Sequence, residues 1–140
     1  MSNTEHNKTL VRQCFERTLK GDTEGLREIL SPDFVIHTPE DYRGPEGLQE
    51  MAAPFKAGLP DLRITIDAQF ADGDYVATRF RAQGTHNGDL FGVPASGREV
   101  TVYGITVSCC RDGRIEEEWE QLDALGALQQ VGALPAMAEA

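Results

Sequence analysis

The run Glu116-Glu117-Glu118-Trp119-Glu120-Gln121-Leu122-Asp123 gathers the residue types that do acid/base chemistry. In an extended strand side chains alternate, so Glu117, Trp119, Gln121 and Asp123 share one face, and Glu116, Glu118, Glu120 and Leu122 share the other. The first face mixes an indole, an amide and a carboxylate. If it lines a cavity, Asp123 is a carboxyl at an apolar edge, where desolvation raises its pKa and suits it to general acid/base work. Asp123 also stands directly before a predicted helix, where aspartate is a favoured N-cap, and the residues alone leave capping and catalysis equally open. The face of Glu116, Glu118 and Glu120 reads as a solvated or subunit-facing acidic stripe with no chemical role.

Two histidines stand where an imidazole can carry a proton near neutral pH. His37 ends a short β-like run, and His86 lies in the turn Gly84-Thr85-His86-Asn87-Gly88. A hydrogen-bonded structural histidine is the alternative for each. His6, near the start of the chain, has no role. Three separated histidines and the cysteines Cys14, Cys109 and Cys110 show none of the spacings of a zinc site, so no metal is expected and the thiols are expected to be reduced. Cys109 and Cys110 are adjacent in a strand, so at most one faces any pocket. The glycines from Gly84 to Gly97 do not lead from a strand into a helix as a dinucleotide or phosphate loop requires, and there is no GxSxG elbow; no cofactor is expected. Arg79, Arg81 and Gln83 share a strand face that reads as outward ion pairing.

These residues must be positioned by a small protein. Its 140 residues, 40% of them hydrophobic, suit one domain over 1–140, with a short flexible tail from about residue 133. With 13 Lys and Arg against 23 Asp and Glu, the net charge of -10 repels phosphate backbones and anionic lipid, so neither nucleic acid nor membrane is an expected partner. The first residues lack the basic and apolar blocks of a signal peptide, and no apolar run reaches the ~18 residues of a membrane span; a cytoplasmic protein is expected.

Apolar residues at Leu10, Val11, Cys14, Phe15 and Leu19 predict an amphipathic helix over about 4–20. Asp22 caps a second short helix that Ser31-Pro32 stops. Phe34 to His37 is β-like, Thr38 to Gly44 is loop, and Pro45 opens a helix with Leu48, Met51 and Phe55 in which Pro54 predicts a kink or early end. From Leu62 the period becomes two, with Leu62, Ile64, Ile66, Ala68 and Phe70 on one face. Asp72-Gly73 turns the chain into a strand from Tyr75 to Gly84, a loop runs to about Gly97, and a long strand follows from Arg98 to Cys110. After a turn at Arg111-Asp112-Gly113 comes the last strand, from Arg114 to about Leu122, and a closing helix over 124–131. Helices first and hairpin-linked strands after describe an α+β domain with helices on one face of a curved sheet, and a pocket between the layers is a natural ligand site.

The segments Gly84 to Gly88, Phe91 to Arg98, Arg111 to Ile115, Glu118-Trp119, Asp123 and Leu125 to Gln130 with Gly132 resemble the SnoaL-like polyketide cyclases of the NTF2-like superfamily over nearly the whole chain. The resemblance implies a cone of three or four helices on a strongly curved, mixed, mainly antiparallel sheet around an apolar pocket. It implies a metal-free, cofactor-free aldol ring closure of an aromatic polyketide ester in antibiotic biosynthesis. The family's acid/base, the carboxylate at the end of the last strand, falls on Asp123. The long strand has no histidine to act beside it, so a second acid/base is sought in His37, His86 or Tyr103. Trp119, Gln121, Tyr103, Phe55 and Met51 are expected to line the substrate pocket. The expected partner is an apolar, carbonyl-bearing small molecule, and exposed Thr and Val on the outer sheet face suggest a homodimer or higher homo-oligomer. A ligand-binding domain that changes nothing, or epoxide opening or hydroxylation on the same scaffold, are the rival readings.

Overall fold

A computed structural model describes residues 3–134, in the order α1 (Asn3–Lys20), α2 (Thr23–Ile29), β1 (Leu30–His37), β2 (Asp41–Arg43), α3 (Gly44–Gly58), β3 (Arg63–Asp72), β4 (Tyr75–Thr85), β5 (Glu99–Arg111), β6 (Arg114–Leu122) and α4 (Ala124–Gln130). From Pro135 on, the expected tail lies outside the described residues. The strands form one open, mixed sheet in the order β2-β1-β6-β5-β4-β3. Hairpins make β3, β4, β5 and β6 antiparallel neighbours, while β1, arriving from the helices, lies parallel to β6. This is the α+β, NTF2-like architecture expected from the sequence.

The helices bury one stripe each on the inner face of the sheet. On α1 that stripe includes Leu10, Val11 and Cys14, and Phe15 meets Phe80 of β4 with ring centroids 4.9 Å apart. Two apolar clusters result. One joins α1, α2, β1 and the start of α3 to Val76, Cys110 and Ile115. The other joins Leu59, Ala82, Val100 and Val102 to Ala127 and Val131 at the far end. At the junction of α2 with α1, the Asp22 carboxylate accepts the Gly25 N–H at 2.9 Å, the N-cap expected there.

Several boundaries differ from the sequence reading. Ser31 and Pro32 belong to β1, which starts at Leu30, and part of the expected loop before α3 is the short edge strand β2. Pro54 does not end α3, which continues to Gly58. Pro54 and Glu50 are both exposed, so the carbonyl that loses its helical donor can be met by water. Phe70 is 70% exposed, although simple alternation puts it with Ile64 and Ile66. The pairing steps from Ile66 opposite Phe80 to Ala68 opposite Arg79, a bulge that inserts Asp67 and reverses the faces beyond it. Gln69 then points inward, donating to Thr78 Oγ1 and the Lys8 carbonyl.

Gly104 of β5 is buried beneath Phe80 and Leu122; a Cβ there would lie 2.5 Å from Phe80 Cζ and 2.7 Å from Leu122 Cδ2. Phe80, 3% exposed and packed at a tilt against Phe15, has little room to withdraw. Gly104→Ala, ordinarily favourable in a strand, is therefore expected to destabilise the fold by ~1–3 kcal/mol, measured as a lowered urea midpoint.

Candidate active site

The two apolar clusters do not meet along the whole inner face. Between them lies a cavity walled by Cys14 and Phe15 of α1, Met51, Phe55 and Lys56 of α3, Ile64 of β3, Phe80 and Ala82 of β4, Val102 and Thr106 of β5, and Glu118, Glu120 and Leu122 of β6. Nearly all of this wall is apolar. Its charged side chains are Lys56, Glu118 and Glu120.

The register of β6 puts two carboxyls there. Cys110 pairs with Ile115 but Cys109 pairs with Glu117, so Glu116 is an extra residue. The bulge lets Ile115 enter the core and, three residues later, sends Glu118, and then Glu120 and Leu122, to the same inner face. Glu118 is 3% exposed and Glu120 9% exposed. Residues two apart on a strand stand about 7 Å apart along the chain, so both carboxyls sit in one cavity wall.

Each is held by a hydroxyl from the adjacent strand. Opposite Glu118, Ser108 donates to its Oε2; opposite Glu120, Thr106 donates to its Oε1 at 3.1 Å. Burial pushes the Glu118 carboxyl up to about 8, against the lowering from Ser108, and the nearby Glu120 adds to the rise. Burial also raises Glu120, opposed by the Thr106 hydroxyl. The Cys14 thiol in the same wall is pushed well above its ordinary value, chiefly by burial and then by Glu118. It stays protonated, which argues against a nucleophilic role.

The residues singled out from the sequence are distributed differently. Met51 and Phe55 line the cavity. Trp119, Gln121 and Tyr103 point from the outer face of the sheet, Trp119 39% and Tyr103 54% exposed. The face of β6 that turns into the cavity is thus the one carrying Glu118 and Glu120, and the face of Glu117, Trp119 and Gln121 turns outward. Asp123 is exposed at the start of α4, where its Oδ1 accepts the Gly126 N–H at 2.8 Å, the geometry of an N-cap.

His37 lies on the outer face between two carboxylates, with Nδ1 2.8 Å from Asp41 Oδ1 and Nε2 2.6 Å from Glu117 Oε2. Both ring nitrogens can donate only in the imidazolium, and the hydrogen bonds to Glu117 and then Asp41 raise its pKa. The Trp119 ring is 5.7 Å from it. His86 is fully buried and organises the loop after β4: Nδ1 is 2.7 Å from Ser96 Oγ and Nε2 3.1 Å from the Val93 carbonyl, while its own carbonyl accepts the Ser96 and Gly97 N–H groups. Neither histidine is among the cavity residues.

The sequence reading missed Glu118, Glu120 and Lys56. A signal for the glutamates was available: Glu118 and Glu120 share the parity of Leu122, the apolar residue that ends the strand.

Comparison with known proteins gives one family. A family model described as SnoaL-like polyketide cyclase matches residues 8–131. The aklanonic acid methyl ester cyclase of Streptomyces peucetius is 29% identical over 129 residues, 88% of each chain, and that of Streptomyces sp. strain C5 is 30% identical over 129 residues, 88% of this chain and 80% of the relative. Among solved structures, IdmH of Streptomyces antibioticus superposes with a TM-score of 0.79 at 35% identity, covering 90% of this chain and 98% of its own. A SnoaL-like protein from Jannaschia sp. CCS1 gives 0.82 at 26% identity, covering 96% and 98%.

The raised Glu118 predicts how stability depends on pH. Between about 4.5 and 8 the folded chain holds a proton that the unfolded chain releases, so stability falls as pH rises through that window, and the loss is complete above it. Glu118→Gln, which still accepts from Ser108 but cannot ionise, is expected to flatten this fall and to exceed the wild type at pH ~8.5 by ~2–4 kcal/mol in urea unfolding. Equal losses in both proteins would contradict the assignment.

Proposed function

Because the chain belongs to the SnoaL-like polyketide cyclases, we propose that it closes a ring in an aromatic polyketide ester by an intramolecular aldol reaction, with Glu120 and Glu118 as the acid/base pair. The observation that carries this reading is a pair of buried carboxyls in the wall of a largely apolar cavity. Glu120 accepts from Thr106 and is the less buried of the two, which suits it to be the base. Glu118, raised to about 8, keeps its proton at neutral pH, and a charge on Glu120 opposes its ionisation. Two carboxyls in different surroundings can divide the roles of base and acid in this way.

The steps then balance within the chain's own groups. Glu120 takes a proton from the carbon between two substrate carbonyls. The resulting enolate carbon attacks a further carbonyl elsewhere in the substrate, forming the C–C bond, and the new alkoxide takes the proton of Glu118. One proton exchange with water restores the pair. The substrate's conjugation spreads the enolate charge, so the residues need only move protons. The apolar wall of Phe15, Met51, Phe55 and Phe80 supports an aromatic body in the substrate.

In this assignment Asp123 fixes the start of α4 and does not touch substrate. Glu120→Gln is expected to lower kcat by ~10²–10⁴ with binding retained, read by chromatography of a β-keto ester such as aklanonic acid methyl ester, whose ring closure conserves mass. Asp123→Asn is expected to keep most turnover, and Asp123→Ala to lose ~1 kcal/mol of stability. The reverse pattern, with Asp123→Asn inactive and Glu120→Gln active, would return the chemistry to Asp123.

Pairing of copies is part of the same proposal. The outer face exposes Tyr75, Tyr103, Ile105 and Trp119, a patch that supports association between two sheets. Sedimentation at micromolar concentration is expected to give a dimer for the wild type and monomer for Ile105→Lys.

A further inference from the structure

The third charged group of the cavity wall, Lys56, takes no part in moving protons. Its ammonium is held at the end of α1, with Nζ 2.7 Å from the Thr18 carbonyl and 3.4 Å from Gln49 Oε1, an atom of a residue outside the wall. An ammonium carries three donors, so one N–H is left over. Neither acceptor is a carboxylate, and the remaining N–H keeps the strength of a charged donor.

Among the described residues of the wall no other strong donor is uncommitted. The Thr18 hydroxyl donates to the Cys14 carbonyl at 2.7 Å, and the Thr106 hydroxyl to Glu120 at 3.1 Å. Glu118 keeps its proton for the new alkoxide in the reaction proposed above, and the Cys14 thiol is a weak donor. The substrate class is rich in acceptors by contrast. An aromatic polyketide ester carries several carbonyl oxygens, and each gives up water on entering an apolar cavity, a cost that a hydrogen bond from the wall offsets.

We propose that Lys56 hydrogen-bonds a neutral carbonyl oxygen in the aromatic body of the substrate, of the ketone or quinone class, and so fixes which of the substrate's other carbonyls meet Glu118 and Glu120. The inference rests on the cavity being the substrate site of the cyclase reading, and adds to it the register in which substrate lies. Cys14 of α1 feels the charge of Glu118. Thr18, which holds Lys56, lies about 6 Å further along the helix, one turn on. That separation distinguishes the anchored carbonyl from those that react, and a substrate displaced by one carbonyl would leave Lys56 without its acceptor. A neutral acceptor also suits a chain of net charge -10, whose field repels anions.

The test is binding of α-tetralone, a bicyclic aryl ketone, against tetralin, in which a methylene replaces the carbonyl, by calorimetry at neutral pH. Lys56→Met is expected to lower the affinity for α-tetralone about tenfold and to leave that for tetralin unchanged. Lys56→Arg is expected to keep most of the ketone affinity. The carbonyl carbon of bound α-tetralone, labelled with carbon-13, is expected downfield in the wild type relative to Lys56→Met, the signature of a donor at its oxygen. In the wild type alone, nuclear Overhauser contacts are expected between the Lys56 ε-methylene and the bound ketone, so the test does not depend on the methionine variant folding. Equal losses for both ligands would mark a purely structural lysine and overturn the proposal. An unchanged ketone affinity in Lys56→Met, absence of those contacts, or no saturable binding of the ketone overturns it as well. Because the readout is binding, a Lys56-dependent ketone preference in a chain that closes no ring would refute the cyclase reading and leave the subsite standing; ring closure with Lys56-independent binding would do the reverse.

Discussion

The cost of putting two carboxyl groups inside an apolar cavity is the constraint around which this structure is organised. A lone charge in such a place is strongly disfavoured, and a carboxyl there responds by holding its proton or by gathering hydrogen bonds. Both gather a hydrogen bond from a hydroxyl, and Glu118 also keeps its proton at neutral pH. Ser108 and Thr106, the facing residues of β5, give each a hydroxyl, so the pairing of β5 with β6 that builds the sheet also equips the site. A slip of one residue in that pairing would turn both glutamates to solvent and bring Trp119 and Gln121 inside. The bulge at Glu116 makes the phase compatible with a core that also needs Ile115.

The helices matter because they keep water from this wall. α1 and α3 cover the inner face with Cys14, Phe15, Met51 and Phe55, and the two apolar clusters close the ends of the space between. Of the charged side chains of the wall, Lys56 comes from the helical side, on α3, and Glu118 and Glu120 from the sheet side, on β6. Outside, the ionic clamp of Asp41, His37 and Glu117 ties the edge strand β2 and the strands β1 and β6 together.

Local patterns in the sequence exposed most of the architecture. The apolar spacing of α1, the caps at Asp22 and Asp123, and the glycine turns at Gly73 and Gly113 are each decided within a few residues, and they appear in the structure where the sequence places them. The site was less legible because its identity depends on which face of one strand is inward. Alternation divides β6 into two sets without saying which is buried, and the indole of Trp119 drew the choice to the wrong set. The bulges at Asp67 and Glu116 are invisible to a strict period of two, and each moves residues across the sheet.

Carbon-13 titration of the glutamate carboxyls, assigned with Glu118→Gln and Glu120→Gln, tests the central claim most directly. The account predicts one resonance titrating near 8 that disappears in Glu118→Gln, and a second, above the ordinary glutamate value, that disappears in Glu120→Gln. Titration of every glutamate near the reference value of about 4.3 would mean that both side chains are hydrated, and would contradict a buried acid/base pair in this cavity.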